Sequence, residues 1–165
     1  MKLINSMGPN PKVVRMFLAE LGMSVDLEEV DLMKAENRGE AYLAKNASGT
    51  TPALELDDGS YLCEIVAICE YLDEISDASS LIGNTAAERA EARMWSRRVD
   101  LNILEPLTNG FRYSEGQAIF KDRMRLIPQA ADDLKALAQE KITWLDGLME
   151  GKEFVCGSRF TLADV

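Results

Sequence analysis

The sequence predicts an α/β N-terminal domain built on a mixed four-stranded sheet, followed by an all-α domain. Strand and helix signals alternate through the first half of the chain, whereas apolar residues in the second half recur only at helical spacing. Near the middle, two short apolar runs flank Asp-Asp-Gly-Ser, which predicts a hairpin. Because a helix separates the first two strands and a tight turn joins the last two, the sheet must contain both parallel and antiparallel pairs.

The first three elements are a strand, a helix and a second strand. The first strand is predicted over residues 2–6. Asn10 followed by Pro11 predicts the helix start, with Asn10 as the N-cap and Pro11 in the first turn, where its missing N–H costs nothing. Gly22 predicts the end of this helix. Alternating apolar and polar residues over 25–32 predict the second strand.

A short helix, a hairpin and a third helix complete the N-terminal domain. Residues 36–46 are mostly polar and predict the short helix. The hairpin strands are predicted over residues 53–56 and 61–63, with the turn at 57–60. Apolar side chains at helical spacing over residues 65–75 predict the third helix.

A change in composition after residue 75 marks the domain boundary. Residues 76–84 are rich in Ser and contain Asp and Gly, which is typical of a linker. The predicted domains are therefore residues 1–75 and 85–165.

Two long helices are predicted in the second domain. A capping-box motif at residues 85–88 precedes the first, which runs from residue 86 past residue 104. Pro106 predicts a kink or stop in it. The second helix is predicted over residues 120–149, with a bend at Pro128.

Composition excludes several classes of partner and site. The chain has 18 Lys and Arg residues against 28 Asp and Glu, a net charge of −10, so a nucleic-acid partner is not expected. It contains no apolar run of about 18 residues, so no membrane span is expected. It also has no recognisable secretion signal, so a cytoplasmic location is expected. With no histidine, Ser-His-Asp triads, Cys-His dyads and common zinc sites are excluded, and no metal is expected. The three cysteines lack a C-x-x-C spacing and are expected to be reduced thiols, mostly buried.

Three motifs, in order along the chain, resemble the glutathione S-transferase family. Residues 46–54, N-A-S-G-T-T-P-A-L, resemble the family's N-P-x-G-x-V-P-x-L segment. Residues 62–72, L-C-E-I-V-A-I-C-E-Y-L, resemble L-x-E-S-x-A-I-x-x-Y-L, and residues 160–165, F-T-L-A-D-V, resemble the F-T-L-A-D-I/V folding motif. Residues 9–15, P-N-P-K-V-V-R, are similar to a bacterial and fungal branch that lacks the usual catalytic Tyr, Ser or Cys.

The resemblance implies a thioredoxin-like N-terminal domain and a homodimeric enzyme. The implied activity is conjugation of the glutathione thiolate to small hydrophobic electrophiles, with glutathione as co-substrate and no other cofactor. Two alternatives remain open. One is a non-catalytic binding or regulatory protein of the same fold, and the other is a glutathione-dependent isomerase, dehalogenase or peroxidase.

The resemblance also implies the residues that bind glutathione. Pro52 is expected to follow a cis peptide bond and to turn the backbone of Thr51 towards the cysteine part of the ligand. Glu64 is expected to bind the γ-glutamyl ammonium group. Ile65 stands where Ser or Gly is usual, so only its backbone N–H can meet the γ-glutamyl carboxylate, and weaker binding is expected than in relatives with Ser.

Three further residues are candidates for more distant contacts with glutathione. Lys45 and Thr50 could hold its glycine carboxylate. Asp100 corresponds to an acidic residue that, in several family members, reaches across the dimer to the ammonium group of the ligand. A local charge pair on a solvated helix face is the rival interpretation of Asp100.

The chemistry requires a group that stabilises the glutathione thiolate. A free thiol has a pKa of about 8.5, and lowering it by about two units takes roughly 2.7 kcal/mol. Asn10, at the start of the first helix, and Ser6, the nearest hydroxyl, are the candidates in the first domain. Tyr113 is the third, because Phe-Arg-Tyr-Ser at residues 111–114 resembles an F-R-H-T/S segment of the related branch. A helix cap, a strand-end hydroxyl and a surface loop are the respective alternatives.

The family usually continues for several tens of residues beyond the equivalent of residue 165. Residues 161–165 resemble the start of the family's buried central helix. The expectation is a shortened chain or an unusual member, with apolar surface on the helical domain uncovered unless a partner chain shields it.

Overall fold

The structure is a computed structural model that describes residues 1–165. The chain divides into two compact units, Met1–Asn84 and Thr85–Asp164. The strands of the first unit are β1 (Lys2–Asn5), β2 (Asp26–Glu29), β3 (Ala53–Glu55) and β4 (Tyr61–Cys63). Its helices are α1 (Pro9–Glu20), α2 (Glu40–Leu43) and α3 (Ile65–Ile75), and Glu36–Arg38 forms a 3-10 turn.

The four strands form one mixed sheet in the order β2-β1-β3-β4. Strand β1 runs parallel to β2 and antiparallel to β3, and β3 runs antiparallel to β4. Leu54 lies opposite both Leu3 of β1 and Leu62 of β4. The last residues of β1 and β4 therefore meet the first residues of β3 at one end of the sheet. This architecture confirms the predicted mixed four-stranded sheet.

The core of the first unit lies on both faces of this sheet. Successive strand residues point to opposite faces, so Leu3 and Ile4 are buried on different sides. Ile4 and Ala53 pack with Tyr42 on one of them. Helices α1 and α3 pack against each other. The largest fully buried apolar side chains come from the two central strands and these two helices: Leu3, Ile4, Leu54, Val14, Phe17, Ile68 and Leu72.

The start of α1 differs from the prediction. The helix begins at Pro9 with Gly8 as its N-cap, so Asn10 is the second helical residue and makes no side-chain capping bond. The prediction of Asn10 as the N-cap was wrong because the ring of Pro9 already fixes φ near the helical value and is tolerated in the first turn.

The second strand and the short helix are also shorter than predicted. Strand β2 occupies only the middle of residues 25–32. The predicted helix over 36–46 is divided into a 3-10 turn and α2, because Gly39 between them has extended backbone angles, φ −74° and ψ 153°.

The second unit contains helices, turns and two isolated β-bridges, Phe154 with Gly157 and Cys156 with Arg159. Its α-helices are α4 (Ala86–Val99), α5 (Glu105–Tyr113), α6 (Gln117–Phe120) and α7 (Ala131–Met149). The predicted capping box is confirmed, since the side chains of Thr85 and Glu88 each accept a hydrogen bond from the other residue's backbone N–H. No helix combines the length and the apolar character that crossing a bilayer requires.

A π-helical turn at Asp100–Leu104 joins α4 to α5. Pro106 does not stop the helix, because α5 continues beyond it to Tyr113. A proline ring would clash with the carbonyl four residues earlier in a regular α-helix. The wider π turn, in which the Glu105 N–H donates to the Asp100 carbonyl, immediately precedes the proline. Helix α5 then packs against α7 closely enough that a Cβ on Gly110 would lie 3.2 Å from the Ala131 carbonyl oxygen.

The predicted helix over residues 120–149 is wrong in its first third. Helix α7 begins at Ala131, after a 3-10 turn at Pro128–Ala130. Ile127 has φ −128° and ψ 73°, outside the α region, because the residue before a proline is restricted by the proline Cδ.

The segment at 161–164 forms a single 3-10 turn at Leu162–Asp164. The Thr161 N–H donates to the Asp164 carboxylate at 2.9 Å, and the Ala163 N–H donates to the Thr161 hydroxyl at 3.3 Å. These two bonds cap the start of the turn from both sides.

Candidate functional site

The site is built where β1, β3 and β4 meet at one end of the sheet. Ile4 pairs with Ala53 in an antiparallel register, so two residues beyond this pair Ser6 stands opposite Thr51. Ala53 also pairs with Cys63, the last residue of β4, so α3 begins at Ile65 just beyond this end of the sheet. Strand pairing thereby brings Ser6, Thr51 and the start of α3 to the same end of the sheet, and Ser6 contacts Thr51 directly.

The backbone of Thr51 is the central feature of this site. Its peptide bond to Pro52 is cis, as expected. The residue is only 8% exposed, yet its N–H and its carbonyl oxygen make no backbone hydrogen bond within the chain. More than nine in ten buried backbone groups are paired in folded proteins. Such an open pair of groups can bind an extended ligand in the manner of an added strand.

Side chains from the 36–46 region hold the residues just before Thr51. The Asn37 side-chain amide donates to the Gly49 carbonyl at 2.6 Å, and that of Asn46 donates to the Thr50 carbonyl at 2.8 Å. The Tyr42 hydroxyl also donates to the Thr50 carbonyl. Burial raises the pKa of Tyr42 to about 12, so its hydroxyl remains a donor at neutral pH.

The start of α3 provides a second group of open donors. Glu64 is its N-cap, with an exposed side chain and the unusual backbone angles φ 73° and ψ 129°. The first helical hydrogen bond runs from the Ile68 N–H to the Glu64 carbonyl at 3.0 Å. The amides of the intervening residues 65–67 therefore have no acceptor inside the helix. Their N–H groups and the helix dipole favour an anion here, and the Glu64 carboxylate favours a cation beside it.

The start of α1 offers fewer donors than most helices. The first four N–H groups of a helix lack intrahelical acceptors. Here Pro9 and Pro11 have no N–H, and the Gly8 N–H points to the Ser6 hydroxyl at 3.4 Å. Asn10 is left with the open backbone N–H of this turn and an exposed side-chain amide. If an anionic sulfur binds here, Asn10 supplies both donors.

Ser6 and the residues proposed for the glycine carboxylate are engaged in contacts within the chain. The Ser6 hydroxyl is 1% exposed and lies 2.7 Å from the Thr51 hydroxyl. The Lys45 ammonium pairs with Glu28 at 2.6 Å, and this hydrogen bond is the main reason why the pKa of Glu28 is lowered. Thr50 is exposed, and its hydroxyl lies 2.7 Å from that of Ser48. The structure thus does not leave a free ammonium group beside Thr50.

Asp100 and Tyr113 belong to the helical unit. Asp100 opens the π turn, and its pKa is raised chiefly by burial, with the Arg97 charge opposing this effect and the Glu105 charge adding to it. No salt bridge is formed by its carboxylate, although the neighbouring Arg97 charge acts on it. Tyr113 is the last residue of α5 and is partly buried.

The protein's own thiols do not resemble nucleophiles. All three cysteines are free, and Cys69 and Cys156 are buried. Burial raises the pKa of Cys69 to about 12 and is also the main cause of the raised pKa values of Cys63 and Cys156. No three acidic or thiol side chains are placed to share a metal ion. The anionic sulfur of any thiol reaction here must come from a ligand.

Comparison with known proteins identifies the family. The family model described as "Glutathione S-transferase, N-terminal domain" matches residues 8–75. The chain is 32% identical over 160 residues to "Glutathione S-transferase 2" of Saccharomyces cerevisiae, covering 96% of this chain and 69% of that protein. The chain belongs to the glutathione S-transferase family.

Other glutathione S-transferases extend the similarity to the whole chain. "Glutathione S-transferase GstA" of Escherichia coli is 31% identical over 166 residues, covering 99% of this chain and 77% of that protein. A solved glutathione S-transferase domain-containing protein from Marinobacter aquaeolei superposes with a TM-score of 0.93 at 34% identity, covering 99% of this chain and 82% of that one. A shorter match, 37% identical over 98 residues, is to a maleylacetoacetate isomerase of Pseudomonas aeruginosa, covering 58% of this chain and 46% of that protein.

The residues that support Thr51 carry weaker sequence signals than the candidate site residues themselves. Pro52 and Glu64 stand in recognisable motifs, and Thr51 and Ile65 lie beside them. Asn37 and Tyr42 do not, and nothing in their local pattern distinguishes them from surface polar residues. The one available signal was Asn46, the first residue of the 46–54 motif, whose side chain bonds forward to Thr50.

Proposed function

We propose that the protein is a glutathione transferase that adds the glutathione thiolate to small hydrophobic electrophiles. The observation that carries this proposal is the open N–H and carbonyl of Thr51, at the same end of the sheet as the open amides at the start of α3. An extended tripeptide with an ammonium group and a carboxylate at one end matches this arrangement of donors, acceptor and carboxylate.

In the proposed complex, glutathione lies along the end of the sheet. The Thr51 N–H and carbonyl pair with the backbone of its cysteine residue. The γ-glutamyl carboxylate accepts from the amides of Ile65 and Val66, and Glu64 binds the ammonium group. The side chain of Ile65 cannot donate, so one hydrogen bond to the carboxylate is lost relative to a Ser at this position. Lys45 and Thr50 remain candidates for the glycine carboxylate only if Lys45 releases Glu28.

The thiolate is proposed to lie at the start of α1, where the Asn10 N–H and side-chain amide donate to the sulfur. A charge at a helix terminus gains about 0.3–1 kcal/mol from the dipole. This is well below the roughly 2.7 kcal/mol needed to lower the thiol pKa by about two units, so the two Asn10 donors must contribute most of the remainder. The thiol proton leaves to solvent. The sulfur electron pair then forms the new carbon–sulfur bond, and a halide leaving group departs with the electron pair of the bond that breaks.

Calorimetric titration with glutathione and a conjugation assay with an aromatic halide together test this proposal. Glu64→Gln should weaken glutathione binding by about tenfold or more, because it removes the charge that meets the ammonium group. Glu20→Gln is the matched control, since Glu20 is exposed at the far end of α1. Absence of glutathione binding would contradict the whole proposal. Binding without turnover of several electrophile classes would favour a non-catalytic glutathione-binding protein.

A glutathione-dependent isomerase is the second candidate, favoured by the match to a maleylacetoacetate isomerase over more than half of this chain. In such a reaction the thiolate adds to the substrate and is later eliminated, so glutathione is not consumed. Measuring free thiol during turnover separates the two reactions.

We also propose a homodimer, and a sedimentation mass equal to one chain would contradict this part of the proposal.

A further inference from the structure

The hydroxyls of Ser6 and Thr51 form a buried pair that links two strands at the site. Their oxygen atoms lie 2.7 Å apart, and the two residues are 1% and 8% exposed. Either hydroxyl can be the donor. The Ser6 oxygen also accepts from the Gly8 N–H at 3.4 Å, at the cap of α1. One hydroxyl therefore contacts both the residue that precedes Pro52 and the start of the first helix.

This hydroxyl pair is the hydrogen bond that Thr51 itself makes within the chain. The residues before it are held through their carbonyls, Gly49 by Asn37 and Thr50 by Tyr42 and Asn46. Thr51 has no such backbone contact, because its N–H and carbonyl are open. Its side-chain bond to Ser6 is the hydrogen bond that fixes its position relative to β1. A buried hydroxyl that loses its partner keeps the full cost of desolvation, so the pair is worth most when both members are present.

We propose that Ser6 is a positioning residue that holds the Thr51 backbone in place for glutathione, and that it does not contact the sulfur. The inference rests on the proposed glutathione site and assigns Ser6 a role within it. The two roles differ in what they predict for the bound thiol. A residue that donates to the sulfur lowers the pKa of the bound thiol, so removing it raises that pKa. A residue that places Thr51 changes the dissociation constant of glutathione and leaves the thiol pKa unchanged.

A double-mutant cycle tests the pairing. Ser6→Ala and Thr51→Val should each weaken glutathione binding by about five- to tenfold, because each leaves one buried hydroxyl without its partner. The double variant removes both hydroxyls together, so its loss of binding should be smaller than the sum of the two single losses, although the Gly8 N–H then lacks its acceptor. Ser60→Ala is the control, because Ser60 bonds Asp58 in the turn that follows the other end of β3. Losses that simply add in the double variant, or a raised thiol pKa in Ser6→Ala, would overturn the proposal.

A second measurement needs no ligand. Backbone ¹⁵N relaxation at Thr51 and Ala53 should show lower order in each single variant and restored order in the double variant. If the unmodified protein does not bind glutathione, the proposed function fails, while this measurement still decides the role of Ser6. Unchanged order at both residues in the single variants would refute the positioning role. If Ser6→Ala does not fold, the Thr51→Val variant, which removes the other hydroxyl of the pair, provides the same comparison.

Discussion

Replacing Ile65 by Ser is expected to tighten glutathione binding while slightly weakening the fold. Ile65 is the first residue of α3 and is partly buried, and its N–H is one of the open amides of that helix. A Ser at this position would place a hydroxyl donor beside the same anion that the backbone amides bind. The substitution thus adds one donor to the proposed carboxylate site without changing any other group in it.

The substitution changes two separate quantities, the dissociation constant of glutathione and the free energy of unfolding. A hydrogen bond to a charged group is worth about 1.5–3 kcal/mol, and we take about 1 kcal/mol because the helix start is partly exposed and water competes for the carboxylate. That corresponds to a fall of about fivefold in the dissociation constant. Truncating a fully buried Ile costs about 2–5 kcal/mol, so a partly buried one should lower the free energy of unfolding by about 1–2 kcal/mol.

Calorimetry with glutathione measures the change in affinity, and thermal unfolding measures the change in stability. Val66→Ser is the matched control, because Val66 is equally partly buried but its side chain points about 100° around the helix from that of Ile65. Unchanged or weaker binding in a folded Ile65→Ser variant would show that the carboxylate of glutathione does not bind at the start of α3. An equal gain in Val66→Ser would show that any added hydroxyl in this turn suffices.

Three further substitutions test other parts of the molecule. Asn10→Ala should move the pH–rate profile of conjugation upwards by raising the bound thiol pKa, and an unmoved profile would exclude the side-chain amide as a donor to the sulfur. Tyr113→Phe should lower kcat and leave the glutathione dissociation constant unchanged if its hydroxyl assists the sulfur, whereas equal kcat values would contradict that role. A hydrogen bond from Lys135, followed by one from Ser114, lowers the pKa of Glu115 from 4.5 to about 2, so its stabilising contribution is present above pH 4.5 and is lost as the pH falls towards 2. Lys135→Met should therefore lower the unfolding temperature at neutral pH and have no effect below about pH 2. If the variant and the unmodified protein unfold at the same temperature at neutral pH, the pairing contributes nothing and the reasoning is refuted.

Local signals predicted the two hairpin strands and the third helix because each signal there has one interpretation. The hairpin turn fixes β3 and β4 on either side of it, and α3 follows with its apolar residues at helical spacing. Prolines gave less certain boundaries, because a proline can begin a helix, follow a π turn or restrict the residue before it. Pro9, Pro106 and Pro128 each do one of these things, and the sequence alone does not separate them.

In the candidate site, too, features in local motifs could be predicted and features that depend on distant residues could not. Thr51, Pro52, Glu64 and Ile65 could be predicted because their positions in motifs coincide with their positions at strand ends. The burial of Ser6 could not be predicted, because it depends on a register partner 45 residues away. The pairing of Lys45 with Glu28 likewise joins elements that are distant in the chain.

The π turn at Asp100–Leu104 also sets which side of α5 meets α7. One additional residue in a helix rotates everything after it by about 100° about the helix axis. In this phase Gly110 faces α7, and a Cβ there would lie 2.7 Å from Lys135 Cγ and 3.2 Å from the Ala131 carbonyl oxygen, so a larger residue would require α7 to shift. Deleting a single residue from the turn would bring a different side chain of α5 into that gap and force the two helices apart.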